Sequence, residues 1–321
     1  MKIRPGVTDI LWMVAGAAVL LVVMLVMLHF HSSQSPADQL AFKARRVDLV
    51  EQMRLSLASA SEAEKSAVMA ITDHDSQTYA DQARAAASVV ERERTALAQL
   101  LNTGGTQREK ALLEQFSKAF ADFQRIDKEL LTLAVENTNL KAYSLAFGPA
   151  AAAVTEMNDA LSRLADKSAS SPEAWTVATL GYGAETAVLR IQTLLAPHIA
   201  EESDKKMDEL EARMTADDQI VRKDLDTLAT HQTLSEDPDF KTATAAYARF
   251  SGLRKQILTL SRENTNVRSL EISLDQKRKA MFQCQDALAS LQQAVLAEPI
   301  AGVNYGPPPN PRQLDGGPRT P

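Results

Sequence analysis

The tetrapeptide Glu136-Asn137-Thr138-Asn139 recurs as Glu263-Asn264-Thr265-Asn266, and the residues around the two copies match at one constant offset of 127 positions. At that offset Phe123 aligns with Phe250, Lys128 with Lys255, and Leu131-Thr132-Leu133 with Leu258-Thr259-Leu260. Phe120, Ile126 and Leu130 align with Tyr247, Leu253 and Ile257, so apolar character is kept where identity is lost. Two like halves, each with one apolar seam, bury those seams by docking on each other, which points to a four-helix bundle. Ala, Leu, Glu, Gln, Lys and Arg dominate the chain, and aromatic residues make up only 5% of it, so strands have almost no place to form.

Breaks in the pattern divide the body into four expected helices. The first runs from about 36 to Leu101 and stops at Asn102-Thr103-Gly104-Gly105; the second runs from about Gln107 to Lys167. Ser168-Ala169-Ser170-Ser171-Pro172 separates the halves. A third helix, to Thr230, carries Gly181-Tyr182-Gly183 and Pro197 and is expected to bend there, and the fourth runs from Phe240 to Leu296. Phe116, Ala119, Phe123, Ile126, Leu130, Leu133, Asn137, Leu140, Ser144 and Phe147 step by three and four along the second helix, a heptad seam. The fourth helix repeats it through Ala243, Ala246, Phe250, Leu253, Ile257, Leu260, Asn264, Val267, Glu271 and Leu274.

Ile10 to Leu28 is an apolar run without charge or proline. At 1.5 Å per residue it covers roughly the 30 Å hydrocarbon core and exceeds the apolar region of an ordinary cleaved leader, which predicts an uncleaved membrane anchor. Lys2 and Arg4 precede it, whereas the first basic residue after it is Lys43, an asymmetry that places the N-terminus in the cytoplasm. The predicted fold is therefore all-α: an N-terminal transmembrane helix followed by a long antiparallel four-helix bundle made of two repeated helical hairpins. Its parts are a cytoplasmic N-terminus (1–8), the anchor (9–31), hairpins over 36–167 and 168–297, and a Pro/Gly-rich disordered tail (298–321). The expected location is the inner membrane, single-pass, with the bulk of the chain outside the cytoplasm.

Asparagine at the same seam position in both halves needs hydrogen-bond partners, because an unpaired buried amide is costly. In one reading Asn137 and Asn264 fix helix register; in the other they line a polar pocket together with Thr138, Asn139, Thr265 and Asn266. If they only fix register, leucine at both positions should raise thermal stability.

The stretch Leu130 to Leu161, with its Glu-Asn-Thr-Asn motif, alanine-rich continuation and Met157-Asn158-Asp159-Ala160-Leu161 ending, resembles the later helices of the four-helix-bundle sensory domain of methyl-accepting chemotaxis proteins, and the second copy is similar through Leu291. The resemblance implies an all-helical extracytoplasmic sensor, often dimeric, binding a small organic acid or amino acid between or beside its helices. After Leu296 the sequence shows a proline-rich tail instead of a second membrane helix and a signalling hairpin, so the expectation is a chemoreceptor-like module without its own output domain.

A net charge of −6 and the absence of a basic stripe interleaved with aromatics argue against nucleic acid as a partner. No phosphate loop, nucleophile elbow or cysteine pair occurs, and neither an enzyme nor a cofactor is expected. Cys284 is the only cysteine and reads as a small buried residue. His74 and His198, each beside acidic residues at nearly equivalent repeat positions, are weak metal candidates that lack the Glu-x-x-His spacing of carboxylate-bridged bundles. Three readings remain: a membrane-anchored sensory or interaction module working as a homodimer or with a membrane signalling protein, a structural scaffold or spacer of the cell envelope, and a metal-binding bundle.

Overall fold

The computed structural model describes residues 35–300, with Met24 alone before them. The expected anchor over Ile10–Leu28 and the tail from residue 301 lie outside the described residues. Among the described residues no helix is long and apolar enough to cross a membrane, and no strand occurs. The helices are α1 (Pro36–Met69), α2 (Asp73–Gly104), α3 (Gln107–Glu136), α4 (Thr138–Leu145), α5 (Ala151–Ser168), α6 (Ala174–Ala200), α7 (Asp204–Ala229), the short α8 (Gln232–Ser235), α9 (Pro238–Glu263), α10 (Thr265–Ile272) and α11 (Arg278–Ala297). Five-residue π-helical segments, Ala146–Ala150 and Ser273–Lys277, join α4 to α5 and α10 to α11. The described residues form two compact units, one of 35–53, Arg92–Glu114 and 287–300, the other of Arg54–Glu91 and Gln115–Asp286.

Four helices were expected, and none of them runs unbroken: the second and fourth are interrupted at Asn137 and Asn264, and the first and third reverse. The segment read as one helix from about 36 to 101 reverses at residues 70–72. Ala80 and Ala83 of α2 pack back on Ala63 and Ala67 of α1, with Leu130, Leu131 and Ala134 of α3 closing the cluster. The Thr72 hydroxyl caps the start of α2 by accepting from Asp75 N at 3.0 Å, and buried Ser76 donates to the Ala67 and Ala134 carbonyls at 3.2 and 2.7 Å. The third expected helix likewise reverses, although not at its glycines or proline: α6 runs through Gly181, Gly183 and Pro197, and the turn comes at 201–203. There the Glu201 backbone is extended, and its carboxylate accepts from Ser203 N and Glu202 N at 3.0 and 3.1 Å. Those backbone donors and Lys206 hold the Glu201 carboxyl below its usual range.

In the larger unit α5, α6, α7 and α9 share one core, with Met157, Leu161 and Leu164 against Val188, Ile191 and Leu195, Val221 and Leu225, and Phe250 and Ile257. This is a four-helix bundle whose four members come from both sequence halves. A Cβ at Gly183 of α6 would stand 2.5 Å from a carboxylate oxygen of Asp224 on α7, a contact that a turn of the Asp224 side chain relieves.

The smaller unit is tied by charge. Buried Arg46 donates to Glu109 at 2.6 Å and also to Glu298. Glu109 closes a capping box at the start of α3, taking Thr106 N at 2.8 Å while Glu109 N donates to the Thr106 hydroxyl at 3.2 Å. Lys43 donates to the Leu296 and Glu298 carbonyls at 2.6 and 2.7 Å, satisfying acceptors left open at the end of α11.

The heptad seam holds only as far as the asparagines. Phe116, Phe123, Ile126, Leu130 and Asn137 are buried, but Phe147 is 64% exposed and Leu274 59% exposed. Beyond Asn137 the buried stripe passes to Ala142, Ala146, Ala150 and Ala153, and beyond Asn264 to Ser269, Ser273, Lys277 and Ala280. Each shift has two causes. The asparagine leaves the right-handed helix, and the π-helical turn then adds a residue to the helical repeat. Pro149, which has no N–H to give to the α-helical ladder, accounts for the first π segment; Gln276 stands at the matching place in the second, which has no such cause.

Candidate functional site

Asn137 (φ 52°, ψ 38°) and Asn264 (φ 53°, ψ 37°) are left-handed, the only described non-glycine residues with positive φ. Asparagine tolerates this region better than almost any other residue with a side chain. A single left-handed residue ends α3 and α9, and the N–H groups of the next residues lose their intrahelical acceptors. The second copy of the motif supplies them. Thr138 N donates to the Thr265 hydroxyl and Thr265 N to the Thr138 hydroxyl, both at 3.1 Å. Asn139 N donates to Asn266 Oδ1 at 3.1 Å and Asn266 N to Asn139 Oδ1 at 3.2 Å. Each helix start thus caps the other in a clasp with approximate twofold symmetry.

The carboxamides close the remaining gaps. Asn139 Nδ2 donates to Asn264 Oδ1 and to the Ile199 carbonyl, both at 2.7 Å, and Asn266 Nδ2 donates to Asn137 Oδ1 at 2.9 Å. Asn264 Nδ2 reaches the Glu201 carbonyl at 2.9 Å, and Asn137 Nδ2 reaches Asp73 Oδ1 at 3.0 Å. The turns at 70–72 and 201–203 are therefore joined to the clasp. All six motif residues singled out in the sequence meet at one place, and their polar groups are engaged with protein partners rather than turned to a cavity.

His74 and His198 are placed differently. His74 is exposed. His198 is fully buried, with Nδ1 2.7 Å from the Ser261 hydroxyl and Nε2 2.9 Å from Glu211 Oε1. Burial lowers its pKa, against the pull of Glu211. Arg262 backs Glu211 at 2.8 Å. Among the described residues no three His, Cys, Asp or Glu side chains group as metal ligands.

A cleft of about 420 Å³ in the larger unit, which the sequence had not indicated, opens between α1 and the second π-helical segment with the start of α11. That volume is in the range of small-molecule sites. Leu274, Met281, Phe282 and Ala58 supply apolar wall; Glu64, Ser273 and Lys277 supply polar groups. Lys277 is 1% exposed, ion-paired with Asp127, and its ammonium lies 3.2 Å from the centroid of the Phe123 ring. Burial lowers its pKa, with Asp127 opposing that shift. Glu64 is 0% exposed, and neither carboxylate oxygen has a hydrogen-bond partner. Its pKa is raised by burial, against the pull of the nearby Ser273 hydroxyl and Lys277.

The repeat carried a signal for this site. At the offset that aligns the clasp, Ser273 and Lys277 stand where the other half has Ala146 and Ala150, and Asp127 stands where it has Arg254. Comparing halves for identity highlights the clasp; comparing them for polar departures picks out Ser273 and Lys277 of the cleft and Asp127, which pairs with Lys277.

Residues 49–174 match the family model described as a four helix bundle sensory module for signal transduction. They run from α1 to the first residue of α6 and include Glu64, Asp127 and the first clasp motif. No curated protein matches the chain.

Proposed function

We propose, from the chemoreceptor-type sensory module over residues 49–174, that the protein senses a small molecule at the periphery of a cell membrane, held there by its N-terminal apolar run. The module match carries this reading. The cleft beside Glu64 supports it, since it is a pocket of suitable size with a polar group left unsatisfied, whereas the clasp has spent its hydrogen bonds internally. In this reading Asn137, Thr138, Asn139, Asn264, Thr265 and Asn266 fix the crossing of the two sequence halves and do not contact ligand. A homodimer or a membrane signalling protein carries the output. Nothing in the described residues favours catalysis over signalling.

The test is a thermal-shift screen of the full chain in detergent against organic acids, amino acids, amines and divalent metals. A ligand confined to the folded state stabilises it by about 2.7 kcal/mol at a hundredfold excess over its dissociation constant. A saturable rise in Tm with one organic class is the expected result. No shift with any class would remove the sensory reading and leave an envelope scaffold in its place.

A further inference from the structure

Resting on the sensory reading above, we propose that the cleft between α1 and the second π-helical segment binds a small organic amine, with Glu64 receiving its ammonium group and the apolar wall receiving its carbon body. Glu64 is the residue that makes the cleft unusual. A buried carboxylate ordinarily has an arginine, a lysine or several N–H donors against it, because leaving it bare is costly. Here neither oxygen holds a hydrogen bond of normal geometry, although the Ser273 hydroxyl pulls on the carboxylate from nearby, and the fully buried side chain borders the cleft. The nearest cation cannot serve it fully: the Lys277 ammonium is ion-paired to Asp127 and lies over the Phe123 ring. One ammonium thus stands between two buried carboxylates, and the missing partner is a second hydrogen-bond-donating cation.

An anion fits poorly at this floor. A ligand carboxylate beside Glu64 would face a like charge and bring no donor, and the Lys277 donors it would need are engaged. A neutral alcohol could give Glu64 one hydrogen bond but no charge. An ammonium gives up to three donors and the compensating charge, and hydrogen bonds between charged partners are roughly twice as strong as neutral ones. Phe282, Leu274 and Met281 favour an aliphatic or aromatic body over a second charged group. At the mouth, Glu62 partly offsets Lys65 and Arg278.

The repeat makes the same point independently. The other half has Ala146 and Ala150 where the cleft has Ser273 and Lys277, and there the matching stretch packs into a continuous apolar core. The polar floor belongs to one half only, although the clasp, the left-handed asparagines and the π-helical segments occur in both.

The experiment is isothermal titration calorimetry of the full chain in detergent with phenethylamine and isoamylamine, beside 2-phenylethanol and 3-phenylpropionate as neutral and anionic controls. Saturable binding of the amines, at least tenfold tighter than of either control and weakened at least tenfold in Glu64→Gln, is expected. Unfolding of Glu64→Gln is followed in parallel, so that lost binding is not confused with lost fold. Glu64→Asp, which keeps the charge but withdraws it, should lie between the two if the variants remain folded. Amine binding untouched by Glu64→Gln, or no amine binding at all, overturns the proposal. If an organic or amino acid from the thermal-shift screen raises Tm equally in wild type and Glu64→Gln, the sensory reading stands and the amine assignment falls; silence from every class removes both.

Discussion

At the scale of single residues, Glu64 and Asp127 should respond to mutation in opposite directions, although both are buried carboxylates. Asp127 compensates Lys277, so Asp127→Ala leaves an ammonium buried without its partner and should cost about 3–5 kcal/mol by chemical denaturation. Glu64 only adds to the charge that Asp127 already sets against Lys277 and forms no ion pair of its own, so Glu64→Leu should stabilise by about 1–2 kcal/mol at neutral pH. The pH dependence separates the second effect from simple repacking. The folded pKa of Glu64 lies above the unfolded value of 4.5 because of burial. Its protonated form therefore contributes stability that is fully present below the unfolded pKa and is lost as pH rises through the folded one. The gain from Glu64→Leu should be largest at neutral pH and shrink toward pH 4.5. A pH-independent gain would mean that the carboxyl titrates alike in both states. Neither residue was legible from composition or periodicity, since an isolated Glu or Lys on a helix reads as solvated surface; what makes them buried is the folding back of α1 and α2 and the phase shift beyond Asn264.

At the scale of elements, the asparagines were legible as a pair but their backbone was not. A heptad seam assumes unbroken right-handed helix, and under that assumption Asn137 is a polar residue at a core position whose replacement by leucine should stabilise. The positive φ at both positions reverses the sign. A side chain other than Asn or Gly in the left-handed region costs roughly 1–2 kcal/mol at each position, and the lost carboxamides leave Asn139, Asn266 and the Glu201 carbonyl short of partners. Asn137→Leu with Asn264→Leu should therefore lower Tm well below that of Asn137→Gly with Asn264→Gly, which loses the same hydrogen bonds but keeps the backbone. A doubly leucine-substituted protein that melts higher than wild type would restore the simple seam. The turn at 70–72 had a usable signal in Thr72-Asp73-His74-Asp75, a serine/threonine-x-x-acid start of the kind that opens helices. Strong helix formers on both sides mask it. The turn at 201–203 lacked even that, since Pro197 and the two glycines drew attention upstream and α6 absorbs all three.

At the scale of the whole molecule, all-helical architecture followed from composition and duplication, because few strand-forming residues are present and each half needs another apolar face to cover its own. Four-helix packing followed too, but the bundle is built by exchange between halves and not by docking of two finished hairpins, which no one-dimensional repeat distinguishes. Placement in the cell is best tested through the lone cysteine. Cys284 is buried and its thiol is pushed up to about 12, chiefly by burial, so it should not react with a membrane-impermeant maleimide at pH 7 in the folded protein. The native chain is then a silent background on which one engineered thiol reports. Ser88 lies exposed on α2 and its hydroxyl bonds only to the Arg84 carbonyl within its own helix, so Ser88→Cys should fold normally. On the proposed topology, with Lys2 and Arg4 on the cytoplasmic side of the apolar run, the Ser88→Cys protein should be labelled in right-side-out membrane vesicles without permeabilisation. Labelling that appears only after detergent would invert the orientation, and a full chain recovered in the soluble fraction would mean that Ile10–Leu28 does not anchor it.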